Sequence, residues 1–258
     1  MMKTSLKQKL INRELTIGSW VTIGHPAIAE ILASAGFDWL VIDIEHTTID
    51  LSMVQALITT IQSKGIAAIV RVSKNEEVVI KRVLDAGADG IIVPMICSKA
   101  EAVQAVNYAK YPPEGKRGVG LARAQQYGTG FDAYKEWVKT DLVVIAQIEH
   151  IDGINDLENI INVNGIDGAF IGPYDLSGSL GIPGKYDEPI VIEALERFKA
   201  VCLKKGISMG FHVIDPQSDR LQAKIDEGYN FLAFSTDFLF MGANARNEMK
   251  IIVNQNSD

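Results

Sequence analysis

Short apolar runs alternate with amphipathic stretches along the chain. Eight runs stand out: "IGSWVTI" (17–23), "WLVID" (39–43), "AAIVR" (67–71), "GIIVP" (90–94), "VVIAQIE" (143–149), "GAFIG" (168–172), "ISMGFHV" (207–213) and "NFLAFST" (230–236). Each is short and rich in β-branched or aromatic residues, which predicts strands. Between them lie stretches with helical spacing, such as "AIAEILASAG", "DLSMVQALITTIQSKG", "NEEVVIKRVLDAGA", "SKAEAVQAVNYAKYP", "GINDLENIINV", "EPIVIEALERFKAVCLKKG" and "PQSDRLQAKIDEGY". Several close on glycine, the residue that lets a helix turn sharply into the next strand.

Strands that are almost wholly apolar belong to a sheet covered on both faces. Eight strand–helix units in series predict one α/β domain over residues 1–258, a single (β/α)8 TIM barrel. An open doubly wound sheet is the alternative. No G-x-G-x-x-G follows the first strand, so a dinucleotide site is not supported. The segment 112–140, "PPEGKRGVGLARAQQYGTGFDAYKEWVKT", is too long for a plain connection and reads as a lid or an interface.

Composition narrows the setting. The chain has 258 residues, of which 47% are hydrophobic and 22% charged, enough to bury a large core. No apolar run approaches the ~20 residues that cross a bilayer, so no membrane partner is expected. The opening "MMKTSLKQKLINREL" lacks an apolar signal core, and a cytoplasmic protein is expected. Cys97 and Cys202 lie far apart and form no C-x-x-C pair, so a structural disulfide is not expected. The net charge of −7 without a basic block argues against nucleic acid as a partner.

In such barrels chemistry gathers where the strands end. Strand one runs into Gly24 and His25. Strand two delivers Asp43, Glu45 and His46, and strand three Arg71. Strand four ends at Pro94. Strand five gives Gln147 and Glu149, strand six Gly172, Pro173 and then Asp175. Strand seven gives His212, strand eight Ser235 and Asp237. Polar groups converge on one mouth while the strand interiors stay apolar, and this asymmetry points to an enzyme.

Spacing sharpens several of these positions. Gln147 and Glu149 are two apart and face one side of their strand. Glu149 and Asp175 follow neighbouring strands, where two carboxylates can share a hard cation that keeps positions open for substrate oxygens. A solvated acid, or an N-cap at Asp175, accounts for the same residues. Arg71 closes a buried strand and needs an anion. Asp43 or Glu45 would serve structurally, and a carboxylate- or enolate-bearing substrate would serve functionally. Among the histidines His46 has the strongest context, next to two acids that can fix its tautomer and raise its pKa. His212 ranks second, His25 opens a helix, and His150 points away from Glu149. Asp43 and Glu45 share one side of the strand and are expected to support charge and orientation. The lysines fall mostly on helices, with Lys74 in a loop opening, which disfavours Schiff-base chemistry. No G-x-S-x-G marks a serine nucleophile.

The segments "DIEH", "RV", "LDAGADGIIVPM", "GKRGVGLARAQQYG", "AQIEHIDGINDLENI" and "FIGPYDLSGSLG", taken in order, resemble the HpcH/HpaI aldolase family over about residues 15 to 240. These are class II, metal-dependent pyruvate aldolases, including 2-keto-3-deoxy sugar-acid aldolases. The resemblance implies that Glu149 and Asp175 ligate a divalent metal (Mg2+, Mn2+ or Co2+). It implies that His46 belongs to the acid–base apparatus, and that Arg71 binds the pyruvyl oxygens and steadies the enolate. Gln147 would contact the substrate or the cation's water shell. Backbone around Gly172 and Pro173 would hold the pyruvate carboxylate. Where much of the family has a small or polar residue between "GP" and "DLS", this chain has Tyr174, a bulky ring beside that pocket. The family pattern also pairs Asp85 with the catalytic histidine. Asp85 precedes strand four, near the bottom of its own barrel, so a neighbouring subunit would have to supply it. The resemblance thus implies a homo-oligomer, a hexamer built from dimers, with the C-terminal helix exchanged between partners.

The expected reaction is reversible cleavage of a 4-hydroxy-2-oxo acid into pyruvate and an aldehyde, two small-molecule partners. One rival is another enolate-forming, metal-dependent C–C lyase or mutase of the phosphoenolpyruvate or oxaloacetate type. A non-catalytic binding protein on a barrel scaffold is another. Specificity is expected from the mouth loops "GVGLARAQQYG" and "SGSLGIPGKY" and from neighbouring chains.

Overall fold

The computed structural model describes residues 5–255, with side chains through residue 253. Eight strands run parallel and close on themselves in sequence order: β1 (Thr16–Val21), β2 (Trp39–Asp43), β3 (Ala67–Arg71), β4 (Gly90–Val93), β5 (Val143–Ile148), β6 (Gly168–Ile171), β7 (Ser208–Val213) and β8 (Phe231–Thr236). All eight apolar runs are strands, and the expected (β/α)8 barrel is the fold. The outer elements are α1 (Leu6–Ile11), α2 (Pro26–Ala33), α3 (Leu51–Ser63), α4 (Glu77–Asp85), α5 (Lys99–Ala109), α6 (Phe131–Thr140), α7 (Ile151–Asn155), α8 (Leu157–Ile161), α9 (Pro173–Ser179), α10 (Pro189–Lys205), α11 (Ser218–Asp226) and α12 (Asp237–Gln255).

Strand alternation divides the core in two. Inward residues fill the barrel: Trp20, Trp39, Val41, Ile69, Ile92, Val143, Ile145, Phe170, Phe231 and Ala233. Outward residues such as Leu40, Ile42, Val70 and Ile91 pack beneath the helices with Leu57, Ile61, Val83 and Phe198. Gly18 shows why the interior mixes sizes. A Cβ there would stand 2.1 Å from the Trp39 ring, so the indole fills space that only glycine leaves. At the lower end α1 closes the barrel, with Leu6 and Leu10 joining the interior cluster. Lys7 fastens it, reaching the Leu142 carbonyl and Asp167, both at 2.9 Å.

The long segment after α5 settles on the opposite end from the mouth. Arg123 donates to the Ala86 carbonyl and to Gln62, at or just beyond the C-terminal ends of α4 and α3. Tyr134 donates to Leu84 and Arg117 to Ala109, likewise at helix C-termini. Helices run antiparallel to the strands, so these ends lie where strands begin. The expectation that "GVGLARAQQYG" lines the mouth of its own barrel is therefore corrected. The buried Arg117–Tyr134–Tyr111 cluster anchors it below instead. Val119, Leu121 and Tyr127 remain exposed on this segment.

The last helix, α12, leaves Phe238, Met241, Met249 and Ile251 exposed. No described helix is long and apolar enough to cross a membrane.

Candidate active site

The mouth is organised by β2 and β3. Their register sets Asp43 opposite Arg71. Arg71 donates from Nε to Asp43 Oδ1 at 2.9 Å and from Nη2 to Oδ2 at 2.7 Å. The pair is bidentate, the strongest geometry open to a guanidinium. Arg71 Nε also lies 3.3 Å from Glu45 Oε2. Below the guanidinium is the Trp20 ring, 4.3 Å from its centroid to Cζ. The structural reading of Arg71 is thus met, and the residue still lines the mouth cavity.

Asp43 does more than pair. Its Oδ1 accepts from the Glu45 backbone N–H at 3.0 Å, turning the chain just after the strand. This turn sends Glu45 inward toward Arg71 and His46 outward. His46 Nε2 lies 3.7 Å from Glu45 Oε2, with 69% of its side chain exposed. The knot of charges in "LVIDIEH" is therefore two acids on one arginine, with an imidazole at the rim. Burial holds the Glu45 carboxyl up at about 7, against the pull of Arg71 and with a push from Glu149.

Across the mouth, β5 presents Gln147 and Glu149 on one side, as the two-residue spacing requires. Gln147 Nε2 donates to Glu149 Oε2, and the Met95 backbone N–H donates to Oε1 at 2.8 Å. Met95 takes a φ of +53°, rare for a side-chain-bearing residue. Strained backbone holds that N–H on the carboxylate. Burial is the main force raising the Glu149 pKa, and the Asp175 charge adds to it. Asp175 stands exposed in the first turn of α9, where Gly172 is the capping residue and no cap bond involves Asp175. The N-cap reading of Asp175 is not what the structure has. Gly172 packs against Glu149: a Cβ would come within 2.9 Å of Glu149 Cβ and 3.0 Å of Oε2. Tyr174 is exposed on the rim and covers Gly184.

Three buried polar atoms at this mouth lack any hydrogen-bond partner: Glu45 Oε2, Gln147 Oε1 and Trp20 Nε1. A buried polar group left unpaired is costly and calls for an explanation, and a ligand bound at this mouth would supply one. The donor set is all oxygen, as a hard divalent cation prefers. Among the described residues no three His, Cys, Asp or Glu side chains form a closed cage. Two carboxylates with open positions is the arrangement in which substrate oxygens finish the shell.

The remaining candidates sort cleanly. His25 and His150 cap α2 and α7, each accepting a backbone N–H on Nδ1 at 3.2 Å. Asp237 ties β8 to the end of β1 through the Thr22 and Ile23 N–H groups, both at 2.8 Å. Lys74 pairs with Glu76 in the loop after β3, and neither residue lines the mouth cavity. Lys224, on α11, also lines this cavity, and its ammonium is bound to Glu227 at 2.7 Å and lies over the Phe211 ring. Asp85 sits at the barrel's lower end, bound to the wholly buried Arg117 at 2.6 Å. The structure does not bring it to His46 within one chain. Trp20 and Phe170 escaped the sequence reading, being apolar in kind and inside strands. The signal for Trp20 was its place on the inward alternation with Gly18.

Comparison with known proteins adds to this geometry. The sequence model of the HpcH/HpaI aldolase/citrate lyase family matches residues 16–241. The chain belongs to the HpcH/HpaI aldolase/citrate lyase family. Among curated relatives of this family member, a hydroxypyruvate/pyruvate aldolase of Roseobacter denitrificans is 36% identical over 92% of either chain. A 5-keto-4-deoxy-D-glucarate aldolase of Klebsiella pneumoniae is 34% identical over 90% of each. Among solved structures, an HpcH/HpaI aldolase/citrate lyase family protein from Burkholderia cenocepacia superposes with a TM-score of 0.91 at 32% identity. That match covers 96% of this chain and 98% of that one.

Proposed function

We propose that this chain is a metal-dependent pyruvate aldolase that reversibly cleaves a 4-hydroxy-2-oxo acid, such as a 2-keto-3-deoxy sugar acid, into pyruvate and an aldehyde. One observation carries the reading. Buried Glu149 and the Asp175 carboxylate lie at neighbouring strand ends, Asp175 lines one cavity with Arg71, and Gln147 Oε1 is left without a partner. Relatives named as pyruvate and keto-deoxy-glucarate aldolases, at 34–36% identity, support it.

Glu149 and Asp175 would hold the cation, and oxygen donors suit Mg2+, Mn2+ or Co2+ alike. When bound, the cation draws charge from the oxygens of the 2-oxo acid. Arg71 would lay positive charge on the same developing enolate oxygen, preorganised by Asp43 and Trp20. Met95 N–H and Gln147 keep Glu149 in place before any ligand arrives. Backbone at Gly172 and Pro173 would receive the pyruvate carboxylate, with Tyr174 flanking it. His46, at the open rim, would take the C4 hydroxyl proton and return it in the synthetic direction.

The same reading assigns Asp85 to a neighbour's mouth, presented by the segment beneath its own barrel. It also has α12, with its exposed apolar side chains, exchange between partners in a hexamer.

The deciding assay uses metal-free protein, a panel of divalent cations, pyruvate and varied aldehydes, with products identified. Pyruvate should form from a 4-hydroxy-2-oxo acid only with metal, and EDTA should abolish it. Pyruvate trapped on a lysine by borohydride would overturn the reading.

A further inference from the structure

We propose that His212 is the residue that recognises a hydroxyl group on the aldehyde, on the carbon next to its carbonyl. The inference rests on the aldolase reading above and adds the substrate feature that this chain selects.

His212 ends β7 and lines the same cavity of about 670 Å3 as Trp20, Arg71, Gln147 and Asp175. Its Nε2 lies 3.2 Å from the Ser235 backbone oxygen. A carbonyl oxygen only accepts, so Nε2 must carry the hydrogen, and the tautomer is fixed. The Ser235 backbone that presents this oxygen sits at φ +52°, a conformation the surrounding structure has to hold. Nδ1 is then a bare lone pair. No described residue donates to it, in contrast to His25 and His150, whose Nδ1 atoms each accept a backbone N–H. Burial pushes the His212 pKa down to about 4, so the ring stays neutral and Nδ1 stays an acceptor at working pH.

Position decides what reaches it. Arg71 and His212 lean on one indole, with the Trp20 ring 4.3 Å from the guanidinium carbon and 5.3 Å from the imidazole centroid. A molecule whose oxo group meets Arg71 has its next few atoms beside the imidazole. Trp20 lies against the His212 ring and Phe170 packs edge-on to Trp20, so the imidazole sits on aromatic surface, and the charged neighbour sharing that indole, Arg71, is a donor only. Of the other acceptors lining this cavity, Gln147 belongs to β5 beside Glu149, and Asp175, Asp187, Asp215 and Glu227 are exposed. A neutral acceptor on aromatic surface favours a group that donates without carrying charge, which a hydroxyl does. An alkyl chain in the same place leaves the lone pair unmet, and sites built for a hydroxyl discriminate on that ground.

The test pairs 2-hydroxyaldehydes (glycolaldehyde, glyceraldehyde) with alkyl aldehydes of matching length (acetaldehyde, propanal). Wild type is compared with His212→Leu and His212→Asn, and asparagine keeps both a donor for Ser235 and an acceptor. Deuterium exchange at C3 of pyruvate, which needs no aldehyde, is followed in every protein. The wild type should prefer the hydroxylated member of each pair. His212→Leu should lower kcat/KM for hydroxyaldehydes about tenfold, the scale of one neutral hydrogen bond, mainly through KM. It should leave alkyl aldehydes and pyruvate exchange within about threefold. His212→Asn should recover most of the loss. Equal losses on both aldehyde classes with exchange intact, or asparagine behaving as leucine does, would overturn the proposal. Absence of metal-dependent exchange in the wild type would instead sink the aldolase reading itself.

Discussion

Arg71 holds Asp43 through two hydrogen bonds, 2.9 and 2.7 Å long, while its guanidinium carbon lies 4.3 Å from the Trp20 ring centroid. The pair fixes the arginine's direction and cancels a charge that would otherwise be buried alone. Arg71→Lys keeps the charge but loses the fork and the stacking, and the two cations are not interchangeable at such a site. Activity should fall at least a hundredfold. Arg71→Ala should in addition destabilise the protein by about 3–5 kcal/mol, because buried Asp43 loses its partner. Urea unfolding beside steady-state kinetics separates the two effects.

Glu45 makes stability depend on pH. Its carboxyl sits at about 7 folded against 4.5 unfolded, through burial first. Below the unfolded value it is protonated in both states and costs nothing. As pH climbs through about 7 the folded state must ionise it, and stability is lost. In metal-free protein Glu45→Gln should therefore flatten part of the decline between about pH 4.5 and 7. Urea midpoints measured across that range check this. Identical slopes in variant and wild type would contradict the burial assigned to Glu45.

Gly172 is a distance constraint on Glu149. An added methyl would meet Glu149 Cβ at 2.9 Å and Oε2 at 3.0 Å. Both carboxylate oxygens are already held, Oε1 by the Met95 N–H and Oε2 by Gln147, which leaves the group little room to yield. Gly172→Ala should weaken divalent-metal binding at least tenfold by calorimetry while the barrel stays folded. Unchanged metal affinity would remove Glu149 from the ligand set.

Asp85 has two candidate duties that a mixing experiment separates. Its bond to buried Arg117 is structural within one chain. If it also completes a neighbour's site, His46→Ala and Asp85→Asn proteins should each be inactive alone. Subunits mixed after mild dissociation should regain activity, because one wild-type site forms from the two halves. No recovery, with both variants assembled, would confine Asp85 to its salt bridge.

Much of this was written in the sequence. Short apolar runs such as "AAIVR" and "GIIVP" located strands because a parallel barrel buries both strand faces. The two-residue step from Gln147 to Glu149 placed both on one side, and their hydrogen bond is the consequence. What escaped were relations across the fold. Nothing local says that Arg71 would take Asp43 rather than Glu45 as its bidentate partner, since barrel register decides that. The segment 112–140 reads as a lid or an interface by length alone, and only Arg117 and Arg123 reaching helix ends put it beneath the barrel. Trp20 is one more apolar strand residue until Arg71 and His212 are seen resting on it.

The central claim is that this mouth forms a pyruvate enolate with help from a divalent metal. Deuterium exchange at C3 of pyruvate, monitored by NMR without any aldehyde, tests it most directly. Exchange should appear with Mg2+, Mn2+ or Co2+, vanish with EDTA, and be lost in Glu149→Gln and Asp175→Asn. Exchange at full rate in metal-free protein, or a borohydride-stable pyruvate adduct on a lysine, would contradict it.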